Sequence, residues 1–154
     1  MKIPALILAF TLWPAGIFAA DVDIYTSKDL QTLGKQAPTT GAEYADHALA
    51  RYGNHYLLYV RRDATGSSEL HAHEADVFVV ESGSGVLVTG GKLVGAHTTK
   101  PGEMRGSSIE GGTRHSVSAG DVIHIPAGTP HQLLVKTEPF TYFVVKVTDQ
   151  QTGK

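Results

Sequence analysis

His71 and His73, one residue apart, are the place in this chain where side-chain type and spacing first suggest chemistry. On a β-strand, residues i and i+2 project from one face, so both imidazoles can reach a single cation. Imidazole suits Zn, Fe, Cu, Ni and Co. Such a pair alone is a weak signal, because histidines on strands serve more often in packing or at the surface. Its surroundings strengthen it. Asp76 follows closely and offers an oxygen ligand, or an acceptor that holds an imidazole ring in place. Two further carboxylates compete: Glu69 shares the parity of the pair, whereas Glu74 adjoins His73 and should face the other way on a regular strand. Much later, Gly120 opens a turn, Asp121 to Ile125 read as a short strand, and Pro126 to Pro130 form a stiff loop that delivers His131 to the head of another strand.

These residues resemble the two motifs of the cupin superfamily. The second motif is a Gly, five residues, Pro, one residue, Gly, two residues and a His ligand; Gly120, Pro126, Gly128 and His131 match it at every spacing. The first is a His-x-His pair, a short gap, a carboxylate, six residues and a Gly; His71, His73, Asp76 and Gly83 match it. Two departures stand out: Asp replaces the usual Glu, and the gap before it is two residues where three or four are usual. The motifs cover residues 66–135. The resemblance implies His71, His73 and His131 as ligands of a divalent transition metal (Fe, Mn, Zn, Ni, Co or Cu), with Asp76 as a fourth. It also implies that these side chains point into a barrel open at one end. The competing view is a barrel that keeps the turn residues and uses its histidines for packing alone.

The remaining polar and aromatic candidates have plainer explanations. His115 reads as exposed, His47, His55 and His97 as surface or edge residues, and His124 as facing either the cavity or the outside. Tyr56, Tyr59, Tyr142 and Phe143 read as core or strand-pair aromatics. Glu103 and Arg105 read as an exposed ion pair rather than as a pair facing a common substrate. Gln132, His124 and Glu69 are the nearby groups able to handle a proton, and none has a defined role.

The elements that must position these residues are short strands punctuated by Gly and Pro, the signature of an all-β protein. Strands are expected at 48–52, 55–61, 69–73, 76–81, 86–89, 121–125, 131–136 and 141–147. Residues 90–112, rich in glycine, read as an irregular excursion with one strand near Met104 to Ile109. One short N-terminal helix is expected, with Ser27 as its cap and Gly34 near its end. The predicted architecture is a jelly-roll β-barrel, which buries strand edges.

The chain has 154 residues, a size suited to one domain. Its start carries Lys2, an apolar run from Ile3 to Trp13, then Pro14, Gly16 and the small pair Ala19-Ala20, the order of a secretory signal peptide. Residues 1–19 are therefore expected to be a leader and residues 20–154 the single domain, placing the protein in the periplasm or outside the cell, with no membrane association once the leader is gone. There is no cysteine, so stability must come from packing, a metal or assembly. A net charge of −2 and the absence of a basic run argue against nucleic acid. Two function classes follow from the resemblance: a metalloenzyme of dioxygenase, isomerase or lyase type acting on a small polar molecule, or a non-catalytic small-molecule or metal-binding module. A homodimer paired through barrel edges is expected.

Overall fold

The computed structural model describes residues 22–39 and 42–149; the expected leader at residues 1–19 lies outside them. The first element is α1 (Ser27–Gly34), followed by β1 (Tyr44–Arg51), β2 (His55–Arg62), β3 (Ser68–His71), β4 (Glu74–Ser82) and β5 (Ser84–Thr89). Four short strands follow, β6 (Lys92–Val94), β7 (His97–Lys100), β8 (Glu103–Gly106) and β9 (Ser108–Glu110). The chain closes with β10 (Thr113–Ser118), β11 (Val122–Ile125), β12 (His131–Val135) and β13 (Phe140–Thr148). No described helix is long and apolar enough to cross a membrane.

The strands form a five-stranded sheet in the order β1-β2-β13-β4-β11 and a six-stranded sheet in the order β10-β5-β12-β3-β8-β7, with β6 and β9 as a separate pair. All pairings are antiparallel. This is a jelly roll of two facing sheets, as the all-β pattern implied. The apolar residues that alternate along the strands meet between them. Val60 on β2, Phe78 and Val80 on β4, Leu133 on β12, and Phe140 and Val144 on β13 make one buried cluster.

The excursion at 90–112 is more ordered than its glycines suggested. It folds into β6 to β9, and β8 pairs with β3 in full register. β10 has polar residues at most positions and one buried side chain, Val117, so it carries too little hydrophobic alternation to be read from sequence. The helix cap also shifts by one residue. Thr26 accepts from the Asp29 amide while the Asp29 carboxylate accepts from the Thr26 amide, a reciprocal box that leaves Ser27 inside the helix. α1 rests on the outer face of the five-stranded sheet, where Arg61 Nη1 donates to the Gly34 carbonyl at 2.9 Å.

Candidate metal centre

Strand parity builds the site. Residues 56, 58, 60 and 62 of β2, residues 74, 76 and 78 of β4, and residues 142, 144 and 146 of β13 all line one cavity. From the opposite sheet come residues 69 and 71 of β3, 103 and 105 of β8, and 131 and 133 of β12. These sets step by two, as side chains on one strand face must, except that Gln132 of β12 also borders the cavity. The lining is partly apolar (Val60, Phe78, Leu133, Val144) and partly charged. The enclosed space is about 180 Å³, room for about six waters at bulk density.

At its centre four groups converge. His71 Nε2 lies 3.3 Å from Glu69 Oε2 and 3.7 Å from Asp76 Oδ2. His131 Nε2 lies 3.7 Å from Asp76 Oδ2 and 4.0 Å from Glu69 Oε2. The orientation of each ring is fixed from behind. His71 Nδ1 is 2.6 Å from Glu103 Oε2, and His131 Nδ1 is 3.0 Å from the Thr129 carbonyl. Both of those partners accept, so each Nδ1 carries the hydrogen and each Nε2 presents a lone pair to the cavity. Two imidazole nitrogens and the Glu69 carboxylate, their ligand atoms all within 4.8 Å of one another, are a set able to hold a metal ion. Ligand atoms around a tetrahedral ion with bonds of roughly 2.0–2.2 Å stand about 3.3–3.6 Å apart, close to the spacings here. Glu69, His71 and His131 thus fit a metal ion, with Asp76 beside them.

A second grouping, His71, Glu74 and Glu103, also brings its atoms within 4.8 Å of one another. There the short bond from His71 Nδ1 to Glu103 uses the ring nitrogen that would have to bind. Glu103 is better understood as the group that aims His71 at the first site.

Three of the four residues expected to hold the ion, His71, Asp76 and His131, are buried and face one another. His73 is not among them. It is exposed, lies in the bend between β3 and β4, and uses its backbone carbonyl to accept from the Asp149 amide at 2.9 Å. β3 ends at His71, so strand parity does not extend to His73. Glu69 takes the place that His73 was expected to fill. Counted from Glu69 and His71, the gap to Asp76 becomes four residues, a usual length, and six residues still separate Asp76 from Gly83.

The same bend corrects Glu74. It opens β4 with the parity of Asp76, lines the cavity and accepts from the Tyr56 hydroxyl at 2.9 Å. Glu103 and Arg105 are likewise no exposed pair: Glu103 is 6% exposed and both line the cavity. Tyr56 and Tyr142 face the site, while Tyr59 faces α1, its hydroxyl donating to Glu81 at 3.1 Å. His124 and His115 are exposed and line a separate shallow groove. The Gln132 amide nitrogen is committed to the Gly66 and Ser107 carbonyls.

Lys146 had no place in the sequence reading. Its Nζ donates to His71 Nε2 at 2.9 Å and to Asp76 Oδ2 at 3.0 Å. It also lies 2.8 Å from Asp76 Oδ1, off the hydrogen-bonding direction, so that oxygen is buried without a hydrogen bond. A lone lysine at an inward position between Val145 and Val147 was its trace in the sequence. Arg62, 7% exposed, donates to the Tyr142 hydroxyl at 3.1 Å and lies 3.5 Å from Glu69.

These charges set the protonation pattern. Burial pushes the Glu69 carboxyl up, but the His71 contact and the charges of Arg105, Arg62 and His131 outweigh it and hold Glu69 well below the usual carboxylate range. Burial pushes His71 down, and the surrounding Glu69, Asp76 and Glu103 reverse the sign and raise it. For His131 burial prevails, and the ring is held below its ordinary value. Burial likewise raises the Tyr142 phenol.

Comparison with solved structures settles the fold. A double-stranded β-helix protein from Klebsiella pneumoniae superposes with a TM-score of 0.59 at 15% identity, covering 84% of this chain and 93% of that one. A cupin-2 domain protein from Shewanella frigidimarina gives 0.53 at 16% identity, covering 80% and 94%. The chain has the cupin fold. KdgF from a Halomonas species is a third similar structure, with a TM-score of 0.53 at 12% identity over 75% of this chain and 89% of that one. No protein-family model and no curated sequence matches the chain. At such identities the likeness extends to the cupin fold, and the chemistry must be argued from this chain's own residues.

Proposed function

We propose that this cupin is a metal-dependent enzyme of isomerase, lyase or dioxygenase type acting on a small polar molecule, with the ion held by Glu69, His71, Asp76 and His131. The observation that carries the reading is the convergence of two imidazole nitrogens and the Glu69 carboxylate, with Asp76 alongside, in one cavity. A mixed set of two nitrogens and two oxygens favours Mn, Fe or Zn over the softer Cu(I). When bound, the ion supplies Lewis acidity to a substrate oxygen.

The chain's own groups supply the rest. Glu103 fixes the His71 tautomer. Arg105, on the cavity wall beside Glu69, offers a guanidinium to an anionic or strongly polar substituent. The Tyr56 phenol, raised by burial and by its bond to Glu74, stays protonated and positions a proton on the opposite wall. Perturbed titrating groups gathered in one cavity favour catalysis over passive binding. The second reading, a non-catalytic binding module, retains the metal and loses the turnover, so a panel of small hydroxy and keto acids assayed for conversion separates the two.

The metal assignment is tested by elemental analysis and zinc titration of single variants. His71→Ala, His131→Ala and Glu69→Ala should each lose at least about tenfold in affinity, whereas His73→Ala should match the His115→Ala control. Loss of metal in His73→Ala with retention in Glu69→Ala would restore the three-histidine assignment and overturn this one.

Export and pairing complete the proposal. Cleavage after Ala19 or Ala20 would place the mature protein in the periplasm or outside the cell, and intact mass of native protein lacking the leader is the check. β1 is an edge of the five-stranded sheet and is available to pair with a second copy; a dimer mass in light scattering at micromolar concentration is expected.

A further inference from the structure

Lys146 lies against the candidate cation site. Its ammonium bonds His71 Nε2 and Asp76 Oδ2, two of the atoms the metal reading assigns to the ion. An ammonium carries donors only, so it satisfies these lone pairs as an ion would, and for the same electrostatic reason. The neighbouring ion pairs are local: Arg62 and Arg105 face Glu69, Arg105 faces Glu103, and Lys146 is the cation beside Asp76.

We propose that Lys146 is a built-in competitor for the metal: its ammonium holds the ligand cluster together in the metal-free protein, and a divalent ion enters only as that ammonium leaves. The inference rests on the metal-site reading above. The two cannot share the site. An ion bound to His71 Nε2 takes the lone pair that Lys146 now uses, and ammonium and dication repel at this separation. The lysine stem is long and flexible, and Glu74 gives it somewhere to go. That carboxylate lines the same cavity and lies within 4.8 Å of a His71 ring nitrogen. Lys146 thereby sets a threshold on metal availability, keeping His71 and Asp76 partnered until the ion is abundant enough to displace it.

The experiment is calorimetric titration of Zn²⁺ and Mn²⁺ into metal-free wild type, Lys146→Met and His131→Ala at one fixed pH, with thermal unfolding of each protein with and without ion. Met keeps the length and removes the charge. If the ammonium fills the site nine-tenths of the time, Lys146→Met should bind about tenfold tighter than wild type. Its metal-free form should melt lower, because buried Asp76 then loses the ammonium beside it, and ion should restore the loss. Lys146→Gln, which keeps a donor without the charge, serves if the Met variant does not fold metal-free; it too should bind more tightly than wild type. Affinity unchanged or weakened in the Lys146 variants, with binding lost in His131→Ala, overturns the competitor and leaves the metal centre standing. Failure of both wild type and Lys146 variants to bind either ion overturns both.

Discussion

Glu103 decides which nitrogen of His71 faces the cavity. Its carboxylate accepts from Nδ1 at 2.6 Å, so Glu103→Ala should free the ring to turn or change tautomer and weaken zinc binding about tenfold to a hundredfold; titration indistinguishable from wild type would show that packing alone orients the ring. Glu69 carries a pH dependence whose sign can be worked out. Its carboxyl is depressed in the folded protein relative to the ordinary value of 4.5, so the ionised form stabilises the fold above that pH. The contribution is lost progressively as pH falls below it. Glu69→Gln in EDTA should therefore be less stable than wild type at pH 7, and the difference should shrink between about pH 4.5 and the acid limit. A difference that stays constant in urea denaturation across that range would remove Glu69 from the account. At this scale the sequence was half legible. The pairing of His71 with His131 followed from motif spacing, but His73 was assigned by strand parity across residues 72 and 73, where the strand has already ended. Glu69 had the right parity throughout. Lys146 was hidden because a lysine in an apolar strand looks the same in sequence whether it faces water or a buried carboxylate.

Among the elements, the β4–β5 turn places the strongest demand on one residue. Gly83 sits at φ +83°, and a Cβ there would meet the Pro139 carbonyl oxygen at 2.9 Å and Phe140 Cα at 3.0 Å. Gly120, at φ +92°, has open space around it. Gly120→Ala should thus cost only the left-handed strain of about 1–2 kcal/mol, and Gly83→Ala distinctly more, since backbone atoms of the neighbouring turn must also move. Chemical denaturation of the pair makes the comparison, and equal losses would mean that the close approach relaxes freely. Long strands with apolar alternation, β2, β4 and β13, were readable because their pattern is imposed by the core. The short strands β6, β7 and β10 were not, and β8 and β9 were read as one strand near Met104 to Ile109, since their order comes from pairing with β3, β5 and each other rather than from a hydrophobic face of their own.

The molecule as a whole joins its two sheets through the site. Glu69, His71 and His131 belong to the six-stranded sheet, while Asp76 and Lys146 belong to the five-stranded one. An ion bound by both adds its binding free energy to the stability of the sandwich. Zinc at a hundred times its Kd should raise stability by about 2.7 kcal/mol, read as a higher Tm that EDTA reverses and that His131→Ala abolishes. A Tm indifferent to zinc and EDTA would contradict a shared ligand set. The apolar floor is independent of this. Phe140, fully buried, should cost about 3–5 kcal/mol on truncation to Ala with or without ion. The overall architecture was the most legible feature of the chain, because turn residues recur at strand-length intervals and leave few alternatives to a two-sheet sandwich.

Glu69, His71 and His73 form a run of three potential ligands at alternate positions, of which the fold turns the first two into the cavity. The choice is made by length, since β3 must stop early enough for Asp76 to arrive on β4 in step. Two extra residues between His73 and Asp76 would let the strand run on and slide the pair to His71 and His73, replacing a carboxylate with a third imidazole. Descent by insertion or deletion in this bend could therefore exchange a hard ligand for a softer one without altering any residue that binds, and metal preference in the lineage would be written in loop length rather than in the identity of the ligands.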